Sequence, residues 1–251
     1  RLAPNSLSIA VSYTNIGNVL YAQGKLEGAL QYHHKAKSII QTLAPDSLQF
    51  AQLYHFFGET YMRQGKFEAC SLYLNSGRRI GRAEHHDSPI LLSLTAYSGW
   101  VLHLRGKSKG AKEKINSARD RLHHQGGRSV LAAIISRFLG TILSDTARRT
   151  DTAQVYGATK VFEEGMAILQ RIAPRSIEMA LMLGALARHL RRNELQSLFE
   201  VERLVRQALE IMESDTIGVT RSQTDYLELK EVAYQLCYDA KDHREASRHA
   251  S

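Results

Sequence analysis

Residues Tyr21–Ala36 read YAQGKLEGALQYHHKA, and residues Tyr61–Ser76 read YMRQGKFEACSLYLNS. In each stretch Gln-Gly-Lys is followed by an apolar residue and a glutamate, with the two glutamines at positions 23 and 64. The adjacent His33 and His34 raise the question of a metal, but the duplication decides the fold and comes first. Working outward, LAPNS at Leu2–Ser6 returns as LAPDS at Leu43–Ser47. Gly17, Gly58, Gly99 and Gly140 keep the same interval, and so do Gly24, Gly65 and Gly106, each followed by lysine. Two glycine series in phase over three or four cycles mark a solenoid of helical hairpins.

The unit follows from its residues. Ahead of each Gly-Lys, apolar residues recur at helical spacing: Tyr13, Ile16 and Leu20, then Tyr54, Phe57 and Tyr61. A glycine inside such a helix weakens it by about 1 kcal/mol relative to alanine, so close approach of a partner helix is the expected compensation. Gly24 and Gly65 end the first helix in a turn where positive φ costs glycine little. The second helix turns small residues back: Ala29 and Ala36, Cys70 and Gly77, Ala111 and Ala118. Pro4, Pro45, Pro89 and Pro174 fall between units, where no backbone donor is needed.

This pattern resembles the tetratricopeptide repeat in its long-period form, as in kinesin light chains. The resemblance is strongest over 1–83, present to 124 and more divergent beyond. It implies an all-α, right-handed superhelical solenoid of antiparallel helix pairs, one array over 1–251 of about five and a half hairpins. Helices are expected at 6–23 with 26–42, 47–64 with 67–84, 88–105 with 108–124, 129–145 with 154–172, and 176–192 with 195–213. A sixth first helix is expected in LELKEVAYQLCYDA, residues 227–240. SDTARRTDTAQVY is read as an insertion before the second helix of the fourth unit.

Composition narrows the class. The 251 residues, 43% apolar, can build one large domain or an elongated array with a continuous core. The chain opens on Arg1 and reads as a fragment of a larger protein. No stretch resembles a signal peptide, and the best apolar run, VLAAIISRFLGTIL, is short and broken by Arg137. Cys70 and Cys237 are too few for a disulfide framework, which points to a reduced, cytoplasmic setting. The net charge of +8, from 33 Lys+Arg against 25 Asp+Glu, favours acidic partners.

The chemical motifs fade in this frame. His33 falls on the slot that holds Leu74, Ile115 and Phe162 in later units, a packing position between hairpins. His34 is its neighbour on another face, and adjacent helical residues do not converge on one ion. His85-His86 and His123-His124 lie at other phases of the repeat. No metal is expected. Gly106-Lys107-Ser108 looks like the tail of a phosphate loop, but the glycine five places earlier is Val101, and the segment is a hairpin turn. No nucleophile, base and orienter stand together, so neither catalysis nor a cofactor is expected.

The resemblance also implies a concave groove lined by first helices. Carried onto this chain, its ligand-facing positions are Val11, Thr14, Asn18 and Tyr21, then Gln52, His55, Glu59, Met62 and Arg63. They continue with Ser93, Ala96, Trp100 and His103, then Arg137 and Thr141, then Arg188, Arg191 and Arg192. The family often places asparagine where Asn18 stands; here Glu59, Trp100, Thr141 and Arg188 replace it in later units. Trp and Arg are the residue types most often found at binding hot spots, and a guanidinium takes a carboxylate bidentately. Kinesin light chains use such a groove for short peptides with a tryptophan among acidic residues. The expected function is a protein-interaction scaffold binding an acidic segment, without membrane insertion. The alternatives are a nucleic-acid-binding solenoid and a regulatory array of a larger ATPase or kinase. Arg148-Arg149, Arg171, Arg175, Arg203 and Arg206 add basic charge to the fourth and fifth units, and which face they occupy decides what they do.

Overall fold

The computed structural model describes residues 6–80, 87–148, 150–214 and Lys230. Pro4, His85, His86, Arg149, Cys237 and, Lys230 apart, the helix expected over 227–240 lie outside the described residues. Among those described, every extended element is an α-helix and no strand occurs. The helices are α1 (Leu7–Ala22), α2 (Leu26–Leu43), α3 (Leu48–Arg63), α4 (Phe67–Ile80), α5 (Pro89–Leu104), α6 (Ser108–His124), α7 (Val130–Thr146), α8 (Thr152–Ile172), α9 (Ile177–Arg192) and α10 (Leu198–Glu213). They pair in sequence as tetratricopeptide-like hairpins. The chain forms two compact units, Arg1–Leu131 and Ala132–Ser251.

In the first unit, α1/α2, α3/α4 and α5/α6 are hairpins closed by turns in which Gly24, Gly65 and Gly106 have φ of +72°, +70° and +76°. Each first helix starts on a serine whose side chain accepts a backbone N–H: Ser6 from Ile9, Ser47 from Phe50 and Ser88 from Leu91. Such a cap is worth about 1 kcal/mol. Ser6 and Ser47 close the LAPNS and LAPDS segments, so the inter-hairpin link is itself a helix-start signal.

The in-phase glycines are sockets. A Cβ on Gly17 would collide with the His33 imidazole, one on Gly58 would lie 2.5 Å from Leu74 Cδ2, and one on Gly99 would lie 2.7 Å from Ile115 Cγ1. Gly77 on α4 performs the same service between hairpins, set against the Ala51 carbonyl and Leu94. Around these joints Leu53, Phe57, Leu74, Leu92, Leu94 and Ile115 are all but inaccessible, as are Ala29, Ala36, Cys70, Ala111 and Ala118. Ile16, expected on the apolar face, is instead 41% exposed. Its counterpart on α3, Phe57, is covered by His33 and His34 of α2, and no described hairpin occupies the corresponding side of α1.

In the second unit the joint recurs between α7 and α8, where a Cβ on Gly140 would lie 2.8 Å from the Phe162 ring. The insertion of the fourth unit is absorbed mostly as helix. It begins inside α7, and α8 runs for 21 residues from a cap at Asp151. Gln154 ties the two ends, its amide donating to the Leu143 carbonyl at 3.0 Å and to Thr146 Oγ1 at 2.8 Å. Ser176 caps α9 and Ser197 caps α10. The core of this unit joins Phe162, Leu169, Met179, Met182, Leu183, Val201, Val205 and Ala208.

Candidate functional site

In the first unit the helices α1, α3 and α5 pack side by side, which brings the expected site residues of three hairpins onto neighbouring elements. Arg63 of α3 reaches back to α1: its Nη1 donates to the Tyr21 carbonyl at 3.2 Å, and its guanidinium lies 4.2 Å from the Tyr21 ring centroid. One turn earlier, Glu59 Oε2 stands 3.5 Å from His55 Nδ1. On its other side the His55 ring meets α5, with Nε2 2.7 Å from Ser93 Oγ and the Tyr97 ring at 4.6 Å, edge to face. Burial alone would push the Glu59 carboxyl up. His55, the Tyr97 hydroxyl that donates to it, and Arg63 outweigh that, and Glu59 lies below the usual carboxylate range. Tyr21, Arg63, Glu59, His55 and Ser93 therefore form one polar strip across three helices.

Ser93, His55 and Glu59 stand in the order of a serine, an imidazole and a carboxylate. Catalysis of acyl transfer also needs donors aimed at a developing oxyanion. Beside Ser93 the Leu91 N–H is taken by Ser88 Oγ and the Leu92 N–H by the Ser88 carbonyl. The trio is a hydrogen-bond network that joins α3 to α5.

Further along α5, Trp100 and His103 are both half-buried with ring centroids 5.4 Å apart, and His103 Nδ1 lies 3.0 Å from Ser108 Oγ at the start of α6. Ala96, expected to face a ligand, is instead fully buried. At the head of the strip Asn18 is half-buried, and its Oδ1 lies 3.2 Å from His33 Nε2.

The second unit carries the arginines. Arg137 of α7 is half-buried with its guanidinium 4.9 Å from the Phe138 ring. On α9, Arg188 is exposed and Arg191 half-buried, while Arg192 pairs with Asp145 at 3.1 Å. Arg203 and Arg206 belong to α10, where they pair with Glu200 and Glu202; they dress a second helix.

The pairs of histidines separate as their spacing implies: His33 is fully buried and His34 exposed. Cys70 is buried, and burial pushes its thiol up to about 12, so it packs and does not react. Two functional-looking residues were not marked by the sequence. Tyr97 follows Ser93 by one turn, and its hydroxyl completes the Glu59 network. His189 lies buried between Arg188 and Leu190, with Nδ1 2.9 Å from Ser144 Oγ and Nε2 2.9 Å from Thr159 Oγ1. Its phase in α9 is that of Thr60 in α3 and Ile142 in α7, both buried, and that phase is the signal that would have found it.

The tetratricopeptide repeat family model matches residues 8–83, the span in which glycine sockets, serine caps and positive-φ turns repeat most regularly. Over that span the chain carries tetratricopeptide repeats. Two crystal structures of nearly identical tetratricopeptide-like repeats from a candidate kinesin light chain of Podosopora anserina share its fold. One, a point-substituted form, has a TM-score of 0.58 and 16% identity, covering 82% of this chain and 95% of that one. The second has a TM-score of 0.57 and 15% identity, covering 82% and 96%. At that identity the likeness establishes the architecture alone. No curated protein sequence matches this chain. Among the described residues, no helix is long and apolar enough to cross a membrane.

Proposed function

We propose that this protein is a cytoplasmic interaction module whose first-helix face binds a short acidic segment of a partner protein, with no chemical step of its own. Tetratricopeptide repeats are in general protein–protein interaction modules. The observation that carries the finer reading is electrostatic. Glu59, the carboxylate in the polar strip of α1, α3 and α5, is held among His55, Tyr97 and Arg63, so its charge is compensated from within. In the second unit, taken by itself, the first helix α9 carries Arg188, exposed, and Arg191 one turn away. Trp100, half-buried on α5, is an aromatic surface of the type that anchors peptides. Each unit therefore presents first-helix groups that attract carboxylates and do not repel them.

The test is fluorescence anisotropy with a labelled glutamate-rich peptide carrying one tryptophan. Binding is expected, and it should weaken with salt, because exposed charges are screened over about 8 Å at physiological ionic strength. Replacing Arg188 and Arg191 together by Glu should abolish capture while leaving helical content intact, since surface changes usually move stability by less than about 0.5 kcal/mol. Capture that survives the double change would remove α9 from the site. The basic balance also suits a polyanion, so an oligonucleotide is the competitor to run; if it binds more tightly than the peptide at physiological salt, the ligand is a nucleic acid.

A further inference from the structure

The α1/α2 joint departs from the others in one respect. The residue that fills the glycine socket is Leu74 in the second hairpin, Ile115 in the third and Phe162 in the fourth, but His33 in the first. His33 is fully buried, flanked by the Phe56 ring at 5.8 Å and the Phe57 ring at 5.6 Å. Its Nδ1 is buried without a hydrogen-bond partner. An apolar knob would carry no such defect, and three other hairpins use one. The first hairpin is also the one that keeps an asparagine on the first-helix face, next to the socket glycine, where the others have Glu59, Trp100 and Thr141. The polar knob and the asparagine occur together and touch, through His33 Nε2 and Asn18 Oδ1 at 3.2 Å.

The chemistry of that contact fixes both groups. If Nε2 carries the hydrogen, it donates to Oδ1 and the orphan Nδ1 is a lone pair. If the amide were turned and Nδ1 carried the hydrogen, the orphan would be a buried N–H. Buried N–H groups without partners are the rarer and more costly defect, so the first arrangement is favoured. Asn18 Oδ1 is then consumed inside the joint, and its Nδ2 hydrogens remain for the half-exposed side of the residue.

We infer that His33 is a positioning residue: by donating Nε2–H to Asn18 Oδ1 it locks the Asn18 amide so that α1 offers N–H donors to a carbonyl or carboxylate oxygen of the bound segment. The inference rests on the peptide-binding reading proposed above and adds to it the polarity of one contact. It accounts for a buried imidazole at a place where leucine would pack. His33 itself never meets the ligand.

Two measurements test it. The first uses selectively 15N-histidine-labelled protein alone, and reads the His33 tautomer from its ring nitrogen shifts. The neutral Nε2–H form is expected, and the Nδ1–H form would overturn the inference, because the asparagine would then present its carbonyl. The second is a double-mutant cycle on capture of the tryptophan-containing glutamate-rich peptide. Asn18→Ala should weaken binding roughly three- to tenfold, the worth of one oriented hydrogen bond. His33→Leu should weaken it by a similar factor, and the two together by no more than Asn18→Ala alone, because one acts through the other. Full affinity in His33→Leu, or losses that multiply, would overturn the role. If the unmodified protein fails to capture the peptide, the proposed ligand falls, and the tautomer alone then decides the orientation of Asn18.

Discussion

His33 in the first unit and His189 in the second are both buried imidazoles, and they are accommodated in opposite ways. Around His189, three helices supply partners. Ser144 of α7 and Asn193 at the end of α9 lie within reach of Nδ1, and Thr159 of α8 lies at Nε2, with its hydroxyl in turn donating to the Val155 carbonyl. Around His33, α1 alone supplies partners, Asn18 Oδ1 at Nε2 and the Thr14 carbonyl, and Nδ1 has nothing. Burial holds both groups below the usual histidine range, His33 down to about 4. A fully satisfied polar network ties helices together, whereas a half-satisfied one is worse for stability than an apolar core. The second unit therefore uses its histidine as a structural joint. The first unit tolerates a defect beside the candidate binding face.

The largest expected effect tests whether the His33 site is a packing joint at all. A Cβ on Gly17 would meet the His33 ring and lie 3.2 Å from the Ala29 carbonyl, which belongs to the α2 backbone and cannot swing aside. Gly17→Leu should lower stability by about 3 kcal/mol, the upper range for overpacking. Urea unfolding followed by circular dichroism reads this as a fall in midpoint at constant slope. An unchanged midpoint would mean that the helices separate without loss there, and the comparison with His189 would have no basis.

Much of this was legible in sequence, for a physical reason. Socket glycines and turn glycines are dictated by backbone geometry, so they recur at fixed interval and expose the helix pairs directly. The slot reading of His33 followed from the same phase. What phase does not encode is where a polar side chain spends its hydrogen bonds. Asn18 belongs to the expected ligand-facing set, yet its carbonyl turns to His33. Glu59 and Arg63 belong to the same set, yet they are engaged with His55, Tyr97 and Tyr21. The fourth unit blurred for another reason: its extra residues are taken up by a longer α8, which shifts the knob relative to the socket while Gly140 and Phe162 still meet. His189 is masked in the sequence by Arg188, Arg191 and Arg192, whose charge marks that stretch of α9 as surface.

The pH dependence should sharpen the comparison next. Burial lowers the His33 pKa first, with His34 adding to the fall and Glu59 and the Thr14 carbonyl opposing it. The unfolded chain therefore takes up a proton below about pH 6.5, before the folded protein does so near 4. Stability is full above the unfolded value and is lost as pH falls between the two, by about 3 kcal/mol. His34 and His189 are shifted the same way and steepen the trend. In His33→Leu the slope over this window should flatten markedly. Equal slopes in variant and parent would show that His33 is not the buried neutral group described.

The last contrast is one of sign. In His33→Leu the leucine used by the second hairpin enters the Gly17 socket, and the buried Nδ1 is lost with its ring. At pH 7 stability should rise by about 1 kcal/mol, in the range expected when a buried polar group without a partner is removed. His189→Leu takes a partner away from Ser144, which is 5% exposed, and from Thr159. A buried hydroxyl left unpaired costs about 1–3 kcal/mol, tempered at Thr159 because its bond to the Val155 carbonyl remains at 3.3 Å. The net loss should be about 2 kcal/mol, read in the same urea titration. The two substitutions are chemically identical, so side-chain volume and hydrophobicity cancel in their difference. What remains is the number of hydrogen bonds each imidazole makes. If both variants move in the same direction by similar amounts, partner count does not govern these sites, and retention of a histidine at the first joint needs no explanation beyond packing.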